Sequence, residues 1–247
     1  MTQPIYAIGD IHGYSDQFDL AIDLIGMDGG QDALVVFLGD YVDRGPDSRG
    51  VIDRLVDGMA QGRNWITLKG NHDRMFQWFM ESPPRHDAHL LVGYHWFHEA
   101  LGGIATLQSY DIAVVDRMRL KDLRSQAAET VPQSHVSFLN ALPLTYETES
   151  LFFAHAGIRP GVPLHAQDEE DLVWIRTEFH DYARPHPKLI VHGHTPVERA
   201  THYGNRVNLD SGAGYGRPVT VAVFEGDRAW YLTRGGRVPL EPLRRRR

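Results

Sequence analysis

The sequence predicts a mixed α/β (α+β) protein whose sheets pack as a sandwich flanked by helices and interrupted by a helical insertion. Three observations predict it. Short apolar strands alternate with amphipathic helix patterns through the first eighty residues. Pro83-Pro84 ends that block, and a helix-rich, strand-poor stretch runs over about residues 85–142. From Pro143 strand signals return almost to the C-terminus. One domain over residues 1–240, with a basic tail over 241–247, fits this order best.

The elements follow from their patterns. Ile5–Ile8 reads as a short apolar strand. Ser15 is suited to cap a helix with Phe18, Ala21, Ile22 and Ile25 on one face and Asp16, Asp19 and Asp23 on the wet side. Ala33–Leu38 is a buried strand. Pro46 breaks the chain, and Ser48 is the expected cap of a helix with Val51, Ile52, Leu55, Val56 and Met59 inward. Trp65–Leu68 is a third strand, and Met75, Phe76, Phe79 and Met80 form the face of a third helix. Later strands are expected at Thr145–Tyr146, Leu151–Ala154, Lys188–His192, Arg206–Leu209, Thr220–Phe224 and Ala229–Leu232.

Composition narrows the chemistry. The 247 residues include 14 His and no Cys, which excludes disulfides, thiolate zinc sites, iron–sulfur clusters and Cys nucleophiles. Any metal must be held by His, Asp, Glu or Asn. The formal charge of −7 argues against nonspecific nucleic-acid binding. The run Ala33–Leu38 is far shorter than the roughly 20 residues that cross a bilayer, so no membrane partner is expected. No signal peptide is visible at the N-terminus, and the cytoplasm is the default compartment. Residues 234–247 hold six Arg and one Glu; Arg244–Arg247 reads as a solvated tail before it reads as an acid-binding one.

Five strand ends carry Gly beside ligand-type side chains: Gly9-Asp10-Ile11-His12-Gly13, Gly39-Asp40-Tyr41-Val42-Asp43-Arg44-Gly45, Gly70-Asn71-His72-Asp73, His155-Ala156-Gly157 and His192-Gly193-His194-Thr195. Carboxyl ends of neighbouring strands open into one crevice. Hard oxygens with imidazoles suit Mn, Fe, Zn or Co. Six candidate ligands exceed what one open catalytic ion takes and suit two ions about 3.5–4 Å apart sharing a carboxylate. Singly, each of these residues is more often a turn or cap; five ordered blocks outweigh that reading.

These blocks resemble the signatures of the metallo-dependent (calcineurin-like) phosphoesterases. The Gly-Asp-x-Val-Asp-Arg-Gly form is similar to that of bacterial-type Ser/Thr phosphoprotein phosphatases. The resemblance implies a calcineurin-like sandwich of mixed sheets and a binuclear centre of two divalent metal ions, Mn2+ the expected pair and Fe, Zn or Co compatible. Asp10 and His12 would hold one ion, Asn71, His155 and His194 the other, and Asp40 would bridge. His72, oriented by Asp43, would protonate the leaving oxygen; Arg44 and Arg176 would bind phosphate, and Tyr215 would line the substrate groove. The implied reaction is phosphomonoester hydrolysis by direct attack of metal-bound hydroxide, with phosphoserine or phosphothreonine in proteins as substrate.

The alternative on the same site is a diadenosine tetraphosphate or nucleoside polyphosphate hydrolase. Asp73, where eukaryotic phosphatases usually have Glu, agrees with it; the intact Val42-Asp43, which those hydrolases usually replace, points to the protein phosphatases. A metal-binding module without catalysis is the third reading, and the intact His72/Asp43 pair speaks against it. His86, His89, His95 and His98 read as a polar helix face rather than a second metal site, having no carboxylate at matching spacing. His192 reads equally as a packed strand residue or a support for the site. Substrate choice is expected to live in the insertion and around Tyr215.

Overall fold

The computed structural model describes residues 3–92, 95–115 and 118–243. The Arg244–Arg247 tail therefore lies outside the described residues. The elements are β1 (Ile5–Ile8), α1 (Ser15–Gly29), β2 (Leu34–Phe37), α2 (Ser48–Ala60), β3 (Trp65–Thr67), α3 (Asn71–Met80), α4 (Gly103–Ser109), α5 (Leu120–Thr130) and α6 (Gln133–Ala141). They continue with β4 (Thr145–Glu147), β5 (Leu151–Ala154), α7 (Glu169–Trp174), α8 (Thr177–His180), β6 (Leu189–His192), β7 (Thr201–His202), β8 (Arg206–Asn208), β9 (Val221–Glu225), β10 (Arg228–Thr233) and β11 (Gly236–Pro239).

The strands form two mixed sheets, ordered β11-β10-β9-β1-β2-β3 and β4-β5-β6-β8-β7. β1, β2 and β3 run parallel, as do β5, β6 and β8. Antiparallel strands complete each sheet.

Successive side chains on a strand point to opposite faces, and this alternation sorts the core into three apolar layers. Tyr6, Ile8, Val35 and Phe37 face α1, α2, α3 and the helices of the insertion. Their neighbours Ala7, Val36 and Leu38 meet Leu151, Phe153, Val191, Val207 and Leu209 between the sheets. Phe152, Ala154 and Ile190 turn outward onto Leu172, Ile175 and Phe179 of the α7–α8 segment. β1, β2, β5 and β6 are thus buried on both faces, which explains their near-continuous apolar sequences.

Several expectations are corrected. Ser15 is the first residue of α1, and Tyr14 precedes it without a side-chain cap. Asp47, not Ser48, caps α2, accepting from the Gly50 N–H at 2.9 Å. Met59 is 45% exposed rather than inward. β7 and β11 are additional: one has two residues, and the other carries Gly and Pro, which weaken a strand signal. The 85–142 stretch does form α4–α6, and its Leu107, Tyr110, Leu123 and Phe138 join the same helix-side core as Phe37 and Val51. Among the described residues no helix is long and apolar enough to cross a membrane.

Candidate active site

The turns after β1, β2, β3, β5 and β6 meet along one edge of the sandwich. The chain pays for this with backbone strain. Of the six non-glycine residues with positive φ among those described, five are site residues: His12 (50°), Asp40 (53°), Asp43 (73°), Arg44 (68°) and His194 (67°). Such concentration of unfavourable dihedrals marks a place where geometry is imposed by function. Two glycines permit close approach. A Cβ on Gly70 would sit 2.1 Å from Asp40 Oδ1, and one on Gly193 would sit 2.0 Å from Asp10 Oδ1.

Asp40 is central. Its Oδ2 lies 3.5 Å from both His12 Nε2 and His155 Nε2, and its Oδ1 accepts from the His72 N–H at 2.9 Å. The imidazoles are oriented from behind. His12 Nδ1 is 2.9 Å from the Val42 carbonyl and His155 Nδ1 is 2.8 Å from the Leu38 carbonyl. Only an N–H can bond a carbonyl, so both rings keep a lone pair on Nε2, facing Asp40. Asn71 Oδ1 lies between His155 Nε2 (3.0 Å) and His194 Nδ1 (2.9 Å). The Asp10 carboxylate accepts from the His194 N–H at 3.1 Å.

This donor set fits divalent cations. The His155 Nε2 lone pair faces Asn71 Oδ1 at 3.0 Å and Asp40 Oδ2 at 3.5 Å, and acceptor set against acceptor is unfavourable unless a cation lies between them. In this site two groups bring ligand atoms within 4.8 Å of one another: His12, Asp40 and His72, and Asp40, His155 and His194, with Asp40 in both. The first contains His72 where the resemblance gave Asp10. His72, however, is tied elsewhere: its Nδ1 is 2.6 Å from Asp43 Oδ2, and its Nε2 is 3.1 Å from Arg44 Nη2.

Comparison with known proteins agrees with this architecture. The family model for calcineurin-like phosphoesterases matches residues 3–224. The chain belongs to that family. Among relatives of this phosphoesterase, the asymmetrical bis(5'-nucleosyl)-tetraphosphatase PrpE of Anoxybacillus flavithermus is 27% identical over 86% of this chain and 87% of its own. The PrpE of Halalkalibacterium halodurans is 27% identical over 88% of each chain. A symmetrical bis(5'-nucleosyl)-tetraphosphatase of Acidovorax is 44% identical over 69 residues, 28% of this chain and 23% of its own. Two solved structures share the fold: one provisionally assigned as a diadenosine tetraphosphatase (TM-score 0.63, 22% identity, 97% of this chain, 94% of that one) and a cold-active protein-tyrosine phosphatase of Shewanella (TM-score 0.62, 15% identity, 98% and 81%).

At the rim of the phosphoesterase site, the Arg44 guanidinium lies 5.0 Å from the Tyr215 ring centroid and sets Nη1 2.6 Å from His12 Nε2. Tyr215 is 64% exposed. Arg176, just before α8, is within electrostatic reach of Tyr215, Asp40, Arg44 and Asp210. The residues expected to bind metal, phosphate or substrate therefore lie in one region, Arg176 and Tyr215 at its edge.

Charge is balanced closely. Burial, then Asp210 and Asp40, push Asp10 well up. His12, His155 and His194 are lowered chiefly by burial, which keeps their rings neutral.

Four residues have roles that the sequence does not announce. Asp73 accepts from the N–H groups of Asp40 (2.7 Å), Tyr41 (2.9 Å) and Gly70 (2.9 Å), clamping the second and third blocks together. Burial and Asp40 push its carboxyl up to about 8. Asp210 follows β8 as Asp10 follows β1; a buried carboxylate at a sixth strand end was the available signal. Trp96 Nε1 donates to Asp43 Oδ2 at 2.8 Å, and Thr106 Oγ1 donates to Asp43 Oδ1 at 2.6 Å. Nothing in the spacing of residues 96 and 106 announces those contacts.

The remaining histidines sort themselves. His192 is a buried strand residue: Nδ1 is 3.0 Å from the Gly193 carbonyl and Nε2 is 3.2 Å from Arg206 Nη1. The described residues from His86 to His98 form no helix, which corrects the expected polar helix face. His89 does find carboxylates in space, Asp87 and Glu170. Yet the buried Arg74 already engages both, bonding Asp87 at 2.8 Å and Glu170 at 2.8 Å. The cluster is an ion-pair joint between α3, the 85–89 loop and α7.

Proposed function

We propose that this chain hydrolyses dinucleoside polyphosphates, with dinucleoside tetraphosphates the first substrates to try. The observation that carries this reading is collinear similarity, 27% over 86–88% of each chain, to proteins named bis(5'-nucleosyl)-tetraphosphatase. It reverses the order in which the sequence ranked the two substrates. The protein-phosphatase reading stays second, supported by the retained 2.6 Å Asp43–His72 pair.

The residues divide the work by their placement. Asp10, His12, Asp40, Asn71, His155 and His194 would hold two divalent ions, Asp40 reaching both because its Oδ2 is equidistant from the His12 and His155 rings. The chemistry such ions supply is acidification of water and neutralisation of phosphate charge. His72 keeps its Nδ1 proton on Asp43; once Arg44 releases Nε2 and that nitrogen takes up a second proton, the imidazolium can deliver that proton to the departing oxygen and return to the neutral ring. Arg44 is anchored over Tyr215 and offers its guanidinium to phosphate oxygens once it releases His12 Nε2. Arg176 approaches the same region from the other sheet's helices.

The test is turnover on diadenosine tetraphosphate, a phosphoserine peptide and a phosphotyrosine peptide under saturating Mn2+. The proposal expects the highest kcat/KM on the dinucleotide. A phosphoserine peptide turned over faster would install the second reading instead.

A further inference from the structure

We infer that Trp96 and Thr106, both contributed by the insertion, are positioning residues that hold Asp43 for His72. The inference rests on the role given to His72 above. Asp43 is fully buried, and among the described residues its only imidazole partner is His72. A buried carboxylate needs donors on its remaining lone pairs, and an undirected one could not fix a neighbouring ring. Oδ2 is shared by His72 Nδ1 and Trp96 Nε1; Oδ1 takes the Thr106 hydroxyl.

The proton count at Thr106 is determinate. Its single hydroxyl hydrogen goes to Asp43 Oδ1, so its oxygen must accept, and it accepts the Asp43 N–H at 2.8 Å. Ser48 Oγ, 3.1 Å away, then serves as donor to Thr106 while also receiving the Asp43 N–H at 3.1 Å. Thr106 therefore grips both the backbone and the side chain of a residue held at φ 73°. The same segment grips the next residue: the Arg44 N–H donates to the Gly102 carbonyl at 3.3 Å, and a Cβ on Gly102 would meet Arg44 N at 2.4 Å. Trp96 is itself fixed, stacked on Phe76 at 5.2 Å and packed against Phe79 at 4.9 Å. Phe76 and Phe79 belong to α3, whose first turn carries His72. The indole thus spans the helix bearing the imidazole and the carboxylate that orients it. The insertion supplies part of the chemistry, not only a cover for substrate choice.

The test uses Trp96→Phe, Thr106→Val, Thr106→Ser and His72→Asn in the full chain with Mn2+. Each is assayed on phenyl phosphate, whose phenolate leaves poorly, and on 4-nitrophenyl phosphate, whose leaving group needs little protonation. Positioning predicts that Trp96→Phe and Thr106→Val lower kcat on phenyl phosphate by about 10- to 100-fold, the size expected when the partner that orients an imidazole is lost. Loss on 4-nitrophenyl phosphate should be several-fold smaller, KM should hold steady, and Thr106→Ser should restore the wild-type ratio of the two substrates. His72→Asn should show the same split, larger. Equal losses on both substrates in the Trp96 and Thr106 variants, with the split present in His72→Asn, overturn the inference alone. No split in His72→Asn overturns the acid role of His72 and the inference with it.

Discussion

Trp174 and His194 meet in a T-shaped ring pair, centroids 5.6 Å apart and planes at 86°. Its Nε1 donates to Asp87 at 3.0 Å, and Asp87 is held by Arg74 of α3, two turns or fewer from Asn71 and His72. One imidazole of the second sheet is thereby braced, through a loop of the insertion, against the helix that carries residues of the first. Arg74→Met would leave the Asp87 carboxylate buried beside no guanidinium. Breaking such a pair costs about 3–5 kcal/mol. Urea denaturation should show a loss of that order, and a change under about 1 kcal/mol would mean the joint is idle.

Asp40 touches His12, His155 and the backbone of His72. Asp40→Asn should therefore lose bound metal and activity together, measured by elemental analysis beside turnover. His72→Asn should keep its metal while turnover falls by roughly 10²–10⁴. Loss of metal in His72→Asn would instead make His72 the ligand that its grouping with His12 and Asp40 permits. Chelation of the wild-type protein should abolish turnover, and added Mn2+ should restore it.

Gly193 has no room for a side chain, because a Cβ would lie 2.0 Å from Asp10 Oδ1. Gly193→Ala should displace that carboxylate. Metal content should drop to about one ion per chain or fewer, with thermal unfolding still cooperative. Full retention of two ions would show that Asp10 is not needed to hold either.

Far from the site, Asp28 accepts from the Tyr6 hydroxyl at 2.6 Å and from Arg237 Nε at 2.9 Å. The Arg237 bond holds its carboxyl below the ordinary 3.8, against a smaller upward push from burial. A lowered carboxylate contributes stability above its unfolded value and loses it as pH falls through its folded one. Asp28→Asn should therefore lower Tm at pH 7, and the deficit should shrink toward zero once the pH drops below the folded value. A deficit constant across that range would assign the effect to packing.

Much of this was readable from residues alone. The Gly-flanked Asp, Asn and His at five strand ends located the site because local backbone chemistry and side-chain chemistry coincide there. The apolar strands were readable because burial on both faces leaves no polar interruption. What stayed hidden depends on distance in sequence. Trp96 and Thr106 reach Asp43 across 53 and 63 residues, and Glu170 reaches Arg74 across 96. Local patterning carries no information about such meetings. Ser48 was misread for a related reason: beside a better cap at Asp47, its hydroxyl was free to serve Asp43 and Thr106.

The proposed ligand set is divided between the sheets. Asp10, His12, Asp40 and Asn71 follow β1, β2 and β3, whereas His155 and His194 follow β5 and β6, and the apolar layer between the sheets holds the halves in register. During synthesis the first four emerge early, yet β1 still lacks its neighbour β9 and Asp40 lacks the second sheet's imidazoles. The centre cannot close until His194 has left the ribosome and the second sheet has docked. Phe153, Val191 and Val207, remote from any phosphate, thus set when the newborn chain becomes an enzyme.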